Sequence, residues 1–402
     1  MEKTNNKSNF CIRPFNSGVI EANGDIRICC TIKPHLTEFK NYSDYNIKDS
    51  SIKEWWNSDY LKYVRENFLQ NKRLKECINC WKKDDQGTSS HRSEANFEYK
   101  SIFQNNFEKY LKLIGKQDLS FPEDIELQIT NLCNLKCQMC SGVDSSKLLV
   151  ENNALGFESL KQKDYELNDL TYKKIEEIVE HDLSLINLRG GEPFFNKKVI
   201  QLLLKLIENK KADKIILHIT TNGTICNEKI LDILKHFKNI RLMISIEGIE
   251  KHNEYMRFPS KWKEIDNNIL KFKELNNTYI YVNSVVQNLN LLYIDQLIEY
   301  CYENKLFINL SKLYNPEYLD ILNLPKKILE QSHEKLSKIE EKKLIHTNNI
   351  KEIIEIIKNH LENYQFDEKR YQRFVDMIKK RDNYRKVHIK DYMPELAEEI
   401  YK

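Results

Sequence analysis

The sequence lacks the long apolar segments that membrane and secreted proteins carry. No run of about 18 apolar residues occurs in its 402 residues, so we expect no membrane-spanning helix. The first ten residues, MEKTNNKSNF, are polar and contain no apolar stretch of the kind that a signal peptide needs. The sequence therefore favours a cytoplasmic protein.

A strong net charge is also missing. The 63 basic residues (Lys and Arg) nearly balance the 60 acidic residues (Asp and Glu), which leaves a formal charge of +3 and gives no argument for a nucleic-acid partner. We find no internal repeat at solenoid periods and no low-complexity linker. What is present, 41% hydrophobic residues, suits a globular protein of two or three domains.

The ten cysteines are the first positive signal. The cytoplasm keeps thiols reduced, so clustered cysteines there indicate a metal site or catalysis rather than disulfides. One cluster lies in NLCNLKCQMCSG at residues 131–142, and two isolated cysteines, Cys226 and Cys301, are interpreted as buried small apolar residues. The remaining five lie in the first hundred residues: Cys11, Cys29, Cys30, Cys77 and Cys80.

Six β-rich segments alternate with helical patterns between residues 120 and 315. This order predicts βα units and a parallel sheet. The strands are expected at 124–130, 184–190, 214–223, 240–248, 278–287 and 306–313. Polar motifs lie at the C-terminal ends of four of these strands (NLCNLKC, RGGEP, TTNGT and SIEG), the last three of which contain glycine, at the sheet edge where α/β proteins hold ligands.

This combination resembles the radical S-adenosylmethionine (SAM) enzymes over residues 120–315. The resemblance implies an α/β fold with a partial (β/α)6 TIM-like barrel, and a 4Fe–4S cluster held by Cys133, Cys137 and Cys140. Three thiolates leave one iron open. In the family, SAM chelates that iron, and its reductive cleavage gives a 5′-deoxyadenosyl radical that abstracts a hydrogen from substrate. The electron would come from a donor such as flavodoxin or ferredoxin.

A structural zinc site, completed by a fourth and distant ligand, is the alternative for these three cysteines. The resemblance further implies that Met139, where many relatives carry an aromatic residue, packs near the adenine of SAM. Gly190 and Gly191 would let the backbone approach the ligand, and Glu192 would accept a hydrogen bond from the SAM ammonium group. A simple turn that closes the strand is the alternative for GGEP.

Three more contacts to SAM follow from the resemblance. Asn222 and Ser245 match positions that contact the ribose and the carboxylate, with turn formation as the alternative. Arg257 would pair with the carboxylate of SAM, with a solvated surface arginine as the alternative. Glu247 stands where the family more often has Asp, so it receives no role, and no further catalytic residue is assigned.

The first hundred residues hold a second pattern. Cys11 and Cys29 frame Gly24 as C-x12-G-x4-C, Cys77 and Cys80 form C-x2-C, and the segment between the two pairs carries an amphipathic helix. We expect Gly24 to permit a tight hairpin that brings Cys29 beside Cys11. This pattern resembles the twitch form of the SPASM module, here placed before the barrel.

The resemblance implies that Cys11, Cys29, Cys77 and Cys80 bind an auxiliary iron–sulfur cluster, most simply 4Fe–4S. Cys30 is a rival to Cys29, and a four-cysteine zinc site is the alternative to the cluster.

The domains are therefore expected at 1–103 (auxiliary module), 104–315 (barrel) and 316–402. The last segment has apolar residues at helical spacing, which predicts three or four helices packed on the barrel, without assigned chemistry.

The substrate is the open part of this prediction. Relatives with auxiliary clusters often modify ribosomally made peptides, and peptide maturation is the favoured hypothesis, although no leader-peptide-binding winged helix is recognisable at the N-terminus. Radical modification of a sugar, a nucleotide or another small intermediate is the alternative. A zinc- or cluster-binding protein without catalytic activity is the alternative of another class.

Overall fold

Strands and helices alternate along the barrel segment as the sequence predicts. The structure, a computed structural model, describes residues 9–40, 42–102, 121–165, 167–342 and 347–401. Its strands are β1 (Ser17–Ile20), β2 (Ile26–Arg27), β3 (Asp124–Leu127), β4 (Leu185–Leu188), β5 (Ile216–Thr221), β6 (Asn239–Ser245), β7 (Thr278–Val286), β8 (Phe307–Lys312) and β9 (Thr347–Asn348).

Five α-helices precede β3 in the described part of the chain: α1 (Arg13–Asn16), α2 (Ile52–Trp56), α3 (Asp59–Leu69), α4 (Ile78–Asp85) and α5 (His91–Ile102). Those between β3 and β8 are α6 (Ser146–Ala154), α7 (Asp169–Glu176), α8 (Lys197–Glu208), α9 (Glu228–Lys235), α10 (Glu250–Met256), α11 (Trp262–Lys273) and α12 (Ile294–Glu303). After β8 come α13 (Lys326–Glu341), α14 (Ile350–Glu362), α15 (Glu368–Arg385) and α16 (Pro394–Ile400).

The chain divides into two compact units, and the first contains Met1–Thr130, Lys163–Arg189 and Lys198–Leu217. In this unit the strand order is β2-β1-β3-β4, followed by the first residues of β5. β1 and β2 form an antiparallel hairpin, while β1 pairs in parallel with β3, with Gly18 opposite Ile125. The N-terminal hairpin therefore continues the parallel sheet.

The second unit contains Asn131–Gln162, Gly190–Lys197 and His218–Lys402. It holds the end of β5 and then β6, β7, β8 and β9 in chain order, and the three pairings from β6 to β9 are parallel. Along β6 the burial alternates: Leu242 and Ile244 are fully buried, whereas Met243 and Ser245 are half-buried. One face of the sheet is thus packed, and the other face remains partly open.

The predicted α/β fold with a mostly parallel sheet is confirmed. All six expected strands are present as β3 to β8, and the four helices expected between residues 196 and 304 are present as α8, α9, α11 and α12. The expected boundary between residues 103 and 104 lies outside the described residues. In the described part of residues 316–402 there are four helices, which agrees with the three or four expected.

The single helix expected between the two cysteine pairs is wrong. The segment forms two helices, α2 and α3, because Ser58 adopts an extended backbone and its side chain accepts a hydrogen bond from Leu61 N. This N-cap starts a new helix where the apolar periodicity alone predicted continuation.

The predicted hairpin at Gly24 is confirmed. Gly24 has a φ of +95°, and a Cβ there would lie 2.5 Å from Asn46 Oδ1, so both backbone and space require glycine. Among the described residues, no helix has the length and the apolar composition that crossing a membrane requires.

Candidate functional site

Three of the predicted cofactor ligands lie together in the loop that follows β3. Cys133 and Cys137 are buried, Cys140 is half-buried, and the three pack in one cluster with Leu135 and Met139. The motif spacing thus brings three soft sulfur donors to one place, which is the donor set that iron–sulfur clusters use. Residues 131–145 are called the cysteine loop below.

Polar groups of the cysteine loop fix its shape. Asn131 Nδ2 donates to the carbonyl of Gly142 at 2.8 Å, and Ser145 Oγ donates to the carbonyl of Leu135 at 2.6 Å. Both side chains are buried, so each hydrogen bond forms without competition from water. The loop therefore holds its three thiols in a defined arrangement.

Arg257 places a positive charge beside the thiols. Its Nη1 donates to Cys137 Sγ at 3.6 Å. A hydrogen bond from Cys140, and then the charge of Arg257, lower the pKa of Cys137, whereas burial raises the pKa of Cys133 to about 12. The thiolate is the form that binds metal, and the charge of Arg257 stabilises that form at Cys137.

The two glycines of RGGEP bring the next strand end against the cysteine loop. Gly191 has a φ of +56°, and a Cβ there would lie 2.3 Å from the carbonyl oxygen of Leu132. Glu192 N donates to the same carbonyl at 2.9 Å. Gly190 also has a positive φ, of 80°. The close approach that these glycines permit is therefore, first of all, to the cysteine loop.

Glu192 presents a fully buried carboxylate at this strand end. It accepts hydrogen bonds from Thr221 Oγ1 (2.8 Å), Asn222 N (2.7 Å) and Phe194 N (3.1 Å). Burial raises its pKa to about 7 despite these donors. A cationic ligand group would stabilise the ionised form of this carboxylate.

Asn222 links the end of β5 to the cysteine loop. Its Nδ2 donates to Asn134 Oδ1 at 2.8 Å and lies 4.0 Å from Cys133 Sγ. Its Oδ1 accepts from Thr224 N at 3.0 Å, so Asn222 also forms the turn that was its alternative role. Ser245 is the last residue of β6 and is half-buried, at the same strand-end edge.

Glu247 is a site residue that sequence reasoning missed. It is fully buried, and its carboxylate accepts from Arg257 Nη2 at 2.5 Å and from Val285 N at 2.7 Å. Arg257 is itself buried, so the alternative of a solvated surface arginine is wrong. Within the described residues, Arg257 Nε has no hydrogen-bond partner. The available signal was a charged residue directly after a buried strand.

A cavity of about 640 Å³ opens beside Met139 and Cys140. Its wall combines cationic, anionic and aromatic side chains from the cysteine loop, residues 152–158, the segment after β8, and α15. The lining residues outside the cysteine loop include Asn152, Phe157, Glu158, Asn315, Tyr318, Arg373, Asp376, Met377, Lys380 and Arg381. Met139 thus faces a space large enough for a small molecule or a segment of peptide.

The four N-terminal thiols line one small, largely apolar cavity. Cys11, Cys29, Cys77 and Cys80 all border it, whereas Cys30 is not among its lining residues. Burial raises the pKa of Cys11 to about 12 and also raises the pKa values of Cys77 and Cys80. A bound metal would deprotonate such thiols outright.

Different elements position these four thiols. Cys77 is the N-cap of α4 and Cys80 lies in its first turn, where the helix dipole favours thiolates. The backbone next to Cys11 is tied to α5, because Arg92 Nη1 and Asn96 Nδ2 both donate to the carbonyl of Phe10 at 2.8 Å. The site is therefore completed by the fold of the module rather than by one local motif.

The two isolated cysteines differ from each other. Cys301 is fully buried on α12, as expected, but Cys226 is only half-buried in the segment before α9. In the ranges that the structure describes, no three His, Cys, Asp or Glu side chains are close enough to hold a single metal ion.

Two segments of the chain match models of known protein families. Residues 127–301 match the model of the radical SAM superfamily, and residues 11–81 match the SPASM model, an iron–sulfur cluster-binding domain. The two matched segments contain all ten cysteines of the chain, including the seven expected cluster ligands.

Three curated relatives illustrate the similarity. The radical SAM cyclopropyl synthase TigE of Paramaledivibacter caminithermalis is 30% identical over 170 residues, 40% of this chain. The sporulation killing factor maturation protein SkfB of Bacillus subtilis is 23% identical over 245 residues, 60% of this chain. The GTP 3′,8-cyclase of Desulforamulus reducens is 26% identical over 125 residues, 31% of this chain. The matches span 35%, 55% and 34% of those proteins, so the chain covers about a third to a half of each.

Proposed function

We propose that this chain, which is a radical SAM enzyme with a SPASM iron–sulfur domain, modifies a ribosomally made peptide. The radical SAM domain uses a 4Fe–4S cluster and SAM, and the SPASM domain uses a further iron–sulfur cluster.

Three thiols lie together with polar groups from three strand ends, and this arrangement is the main support for radical SAM chemistry at the site. The donor set fits a cluster with one open iron, because Cys133, Cys137 and Cys140 supply three sulfurs and Arg257 offsets negative charge at Cys137. When bound, the cluster and SAM together supply a 5′-deoxyadenosyl radical that abstracts a hydrogen atom from the substrate.

The surrounding residues would bind and orient SAM. Glu192 would accept from its ammonium group, and Asn222 and Ser245 would contact its ribose and carboxylate. Arg257 has its Nη2 occupied by Glu247, and among the described residues its Nε has no partner, so we assign the SAM carboxylate to Nε. Met139 would pack near the adenine at the edge of the cavity.

The second site supports a closed auxiliary cluster. Cys11, Cys29, Cys77 and Cys80 offer four thiols around one cavity, so every iron of a 4Fe–4S cluster would have a protein ligand. Such a cluster would exchange electrons rather than bind SAM.

Two observations support a peptide substrate. SkfB aligns over 60% of this chain and is named for the maturation of the sporulation killing factor. The cavity of about 640 Å³ beside Cys140 carries both acidic and basic side chains, which suits a chain of mixed polarity better than a purely apolar ligand. The similarity to a GTP 3′,8-cyclase favours a nucleotide as the second candidate.

The test is peptide-dependent turnover by the anaerobically reconstituted chain. The reconstituted chain would be mixed with SAM, dithionite and a synthetic copy of a peptide that a neighbouring gene encodes. The amount of 5′-deoxyadenosine and the mass of the peptide would be followed together. We expect both to change in step, with little 5′-deoxyadenosine when the peptide is omitted. If GTP stimulated 5′-deoxyadenosine formation and the mass of the added peptide did not change, the substrate would be a nucleotide instead of a peptide.

A further inference from the structure

Two arginines at the end of α15 hold the backbone of the cysteine loop. Arg381 Nη1 donates to the main-chain oxygen and to Oε1 of Gln138, each at 2.8 Å. Arg385 Nη2 donates to the carbonyl of Lys136 at 2.7 Å. Lys136 and Gln138 are the residues on either side of Cys137. The helix therefore restrains the chain immediately before and after this thiol.

A buried carboxylate orients the arginines in turn. Glu151 on α6 accepts from Arg385 Nε at 3.0 Å and from Arg385 Nη2 at 2.7 Å, and it also pairs with Lys136 Nζ at 3.0 Å. Glu151 and Arg381 are each 1% exposed. Buried charges are costly unless they are paired and hydrogen-bonded, so these contacts restrict the geometry of the network, while Arg381 Nε and Arg385 Nη1 have no hydrogen-bond partner among the described residues.

The network also carries excess positive charge. Arg381, Arg385 and Lys136 contribute three positive charges, against one negative charge from Glu151 and one from the neighbouring buried Asp382. A thiolate-ligated cluster is anionic and gains a further negative charge on reduction. Positive charge and hydrogen bonding near such a cluster favour its reduced form.

We propose that Arg381 and Arg385 are positioning residues for the SAM-binding cluster. They fix the cysteine loop around Cys137 and raise the reduction potential of the cluster. α15 lies beyond residues 127–301, the segment that matches the radical SAM superfamily, so this role belongs to the C-terminal helices. The inference rests on the assignment of that cluster to Cys133, Cys137 and Cys140.

The experiment compares Arg385→Gln, Arg381→Gln and Arg385→Lys with wild type. The matched control is Arg370→Gln, because Arg370 lies on the same helix but is half-exposed and paired with Asp367. Each full-length chain is reconstituted anaerobically. Iron and sulfide per chain, the rate of iron loss to a chelator, and the midpoint potential of the cluster whose EPR signal changes with SAM are then measured.

We expect Arg385→Gln and Arg381→Gln to lose that cluster to the chelator about tenfold faster or more, with a more negative midpoint potential. Arg385→Lys should keep the potential near wild type but still lose iron faster, because an ammonium group cannot replace the guanidinium fork that bridges the Lys136 carbonyl and Glu151. Arg370→Gln should match wild type in both measurements.

Folded Arg385→Gln and Arg381→Gln variants with wild-type iron retention and potential would overturn the role. If Arg385→Gln does not fold, Arg385→Lys keeps a positive charge beside Glu151, and its rate of iron loss together with the Arg381→Gln measurements supplies the readout. A wild-type chain that shows no SAM-sensitive cluster at all would instead overturn the cluster assignment, so the two failures are distinguishable.

Discussion

The two cysteine sites reach a similar donor chemistry by opposite routes. The barrel site takes three thiols from residues 133–140, all in one loop. The N-terminal site takes four thiols from residues 11–80, which come from separate elements around one cavity. The first arrangement depends on the spacing of cysteines within one local motif. The second forms only when the hairpin, α4 and α5 have packed together. Damage to the two sites should therefore have different consequences.

Their surroundings differ as well. Buried polar groups meet at the barrel site, including Glu192, Asn222 and Arg257. Ile28, Ile32, Val64 and Phe68 line the N-terminal cavity together with Arg13, His91 and Arg92. Buried polar groups prepare a site for a polar ligand, whereas a small cavity bordered by four thiols leaves little room for a ligand beyond the cluster. The proposed roles are therefore chemistry at the first site and electron transfer or stabilisation at the second.

The largest effect is expected from Cys137→Ala. Loss of this thiol removes a ligand from the barrel cluster, so 5′-deoxyadenosine formation with dithionite should be abolished. The auxiliary cluster should remain, because its four thiols are untouched. Iron content and 5′-deoxyadenosine yield, measured on the same reconstituted sample, check both statements. SAM cleavage by the variant would show that Cys137 is not a ligand.

Cys80→Ala tests the N-terminal site of four thiols. It should remove one cluster's worth of iron while SAM cleavage persists at least in part, and turnover of the true substrate should fall further. A small module relies on metal ligation for much of its stability, so residues 11–102 should become more sensitive to limited proteolysis. Cys226→Ala is the matched control, since it removes a half-buried thiol outside both sites.

The outcome contrary to this prediction is specific. Wild type holding only about four irons after full reconstitution, with zinc in the N-terminal part, would replace the auxiliary cluster by a structural zinc site.

The sequence predicted the features that depend on local order. The strands β3 to β8 follow from alternating apolar residues, and the cysteine loop follows from the spacing of its cysteines. Arg381 could not be predicted in this way, because its partner Gln138 lies 243 residues away in sequence. A contact at that separation leaves no periodicity in either segment. Glu247 was missed for another reason: a departure from the family residue was taken as absence of a role.

A sharper test of the distributed site compares Cys29→Ala with Cys30→Ala. The two thiols are neighbours in sequence, but only Cys29 lines the cavity with Cys11, Cys77 and Cys80. We expect Cys29→Ala to lose the auxiliary iron and Cys30→Ala to retain it. Iron and sulfide per chain decide the assignment, and the reverse pattern would make Cys30 the ligand.

Glu192→Ala measures how far the barrel site is adapted to SAM. Removing the acceptor of a charged donor in a buried site typically costs about 1–3 kcal/mol, or about ten- to a hundredfold in affinity. SAM affinity should fall by that factor while the iron content is unchanged. Glu192→Gln keeps the side-chain shape and should lie between wild type and Glu192→Ala. The control Glu228→Ala removes an exposed carboxylate on α9. Unchanged SAM affinity in Glu192→Ala with intact iron would remove this role.

The smallest effect concerns the break between α2 and α3, the element that sequence periodicity failed to resolve. Ser58 caps α3 by accepting from Leu61 N at 3.3 Å, so Ser58→Ala should lower the free energy of unfolding by about 1 kcal/mol. Val64 and Phe68 of α3 line the cavity of the four thiols, yet the cap itself is not part of that cavity. Iron per chain should therefore stay at the wild-type level, while thermal unfolding and proteolysis of the N-terminal part begin slightly earlier. Ser58→Asn restores a capping oxygen and should recover the loss. If Ser58→Ala instead released the auxiliary iron, the four N-terminal thiols would depend even on a helix end outside their cavity. The N-terminal site would then differ from the cysteine loop, whose thiols lie in one segment, more strongly than proposed.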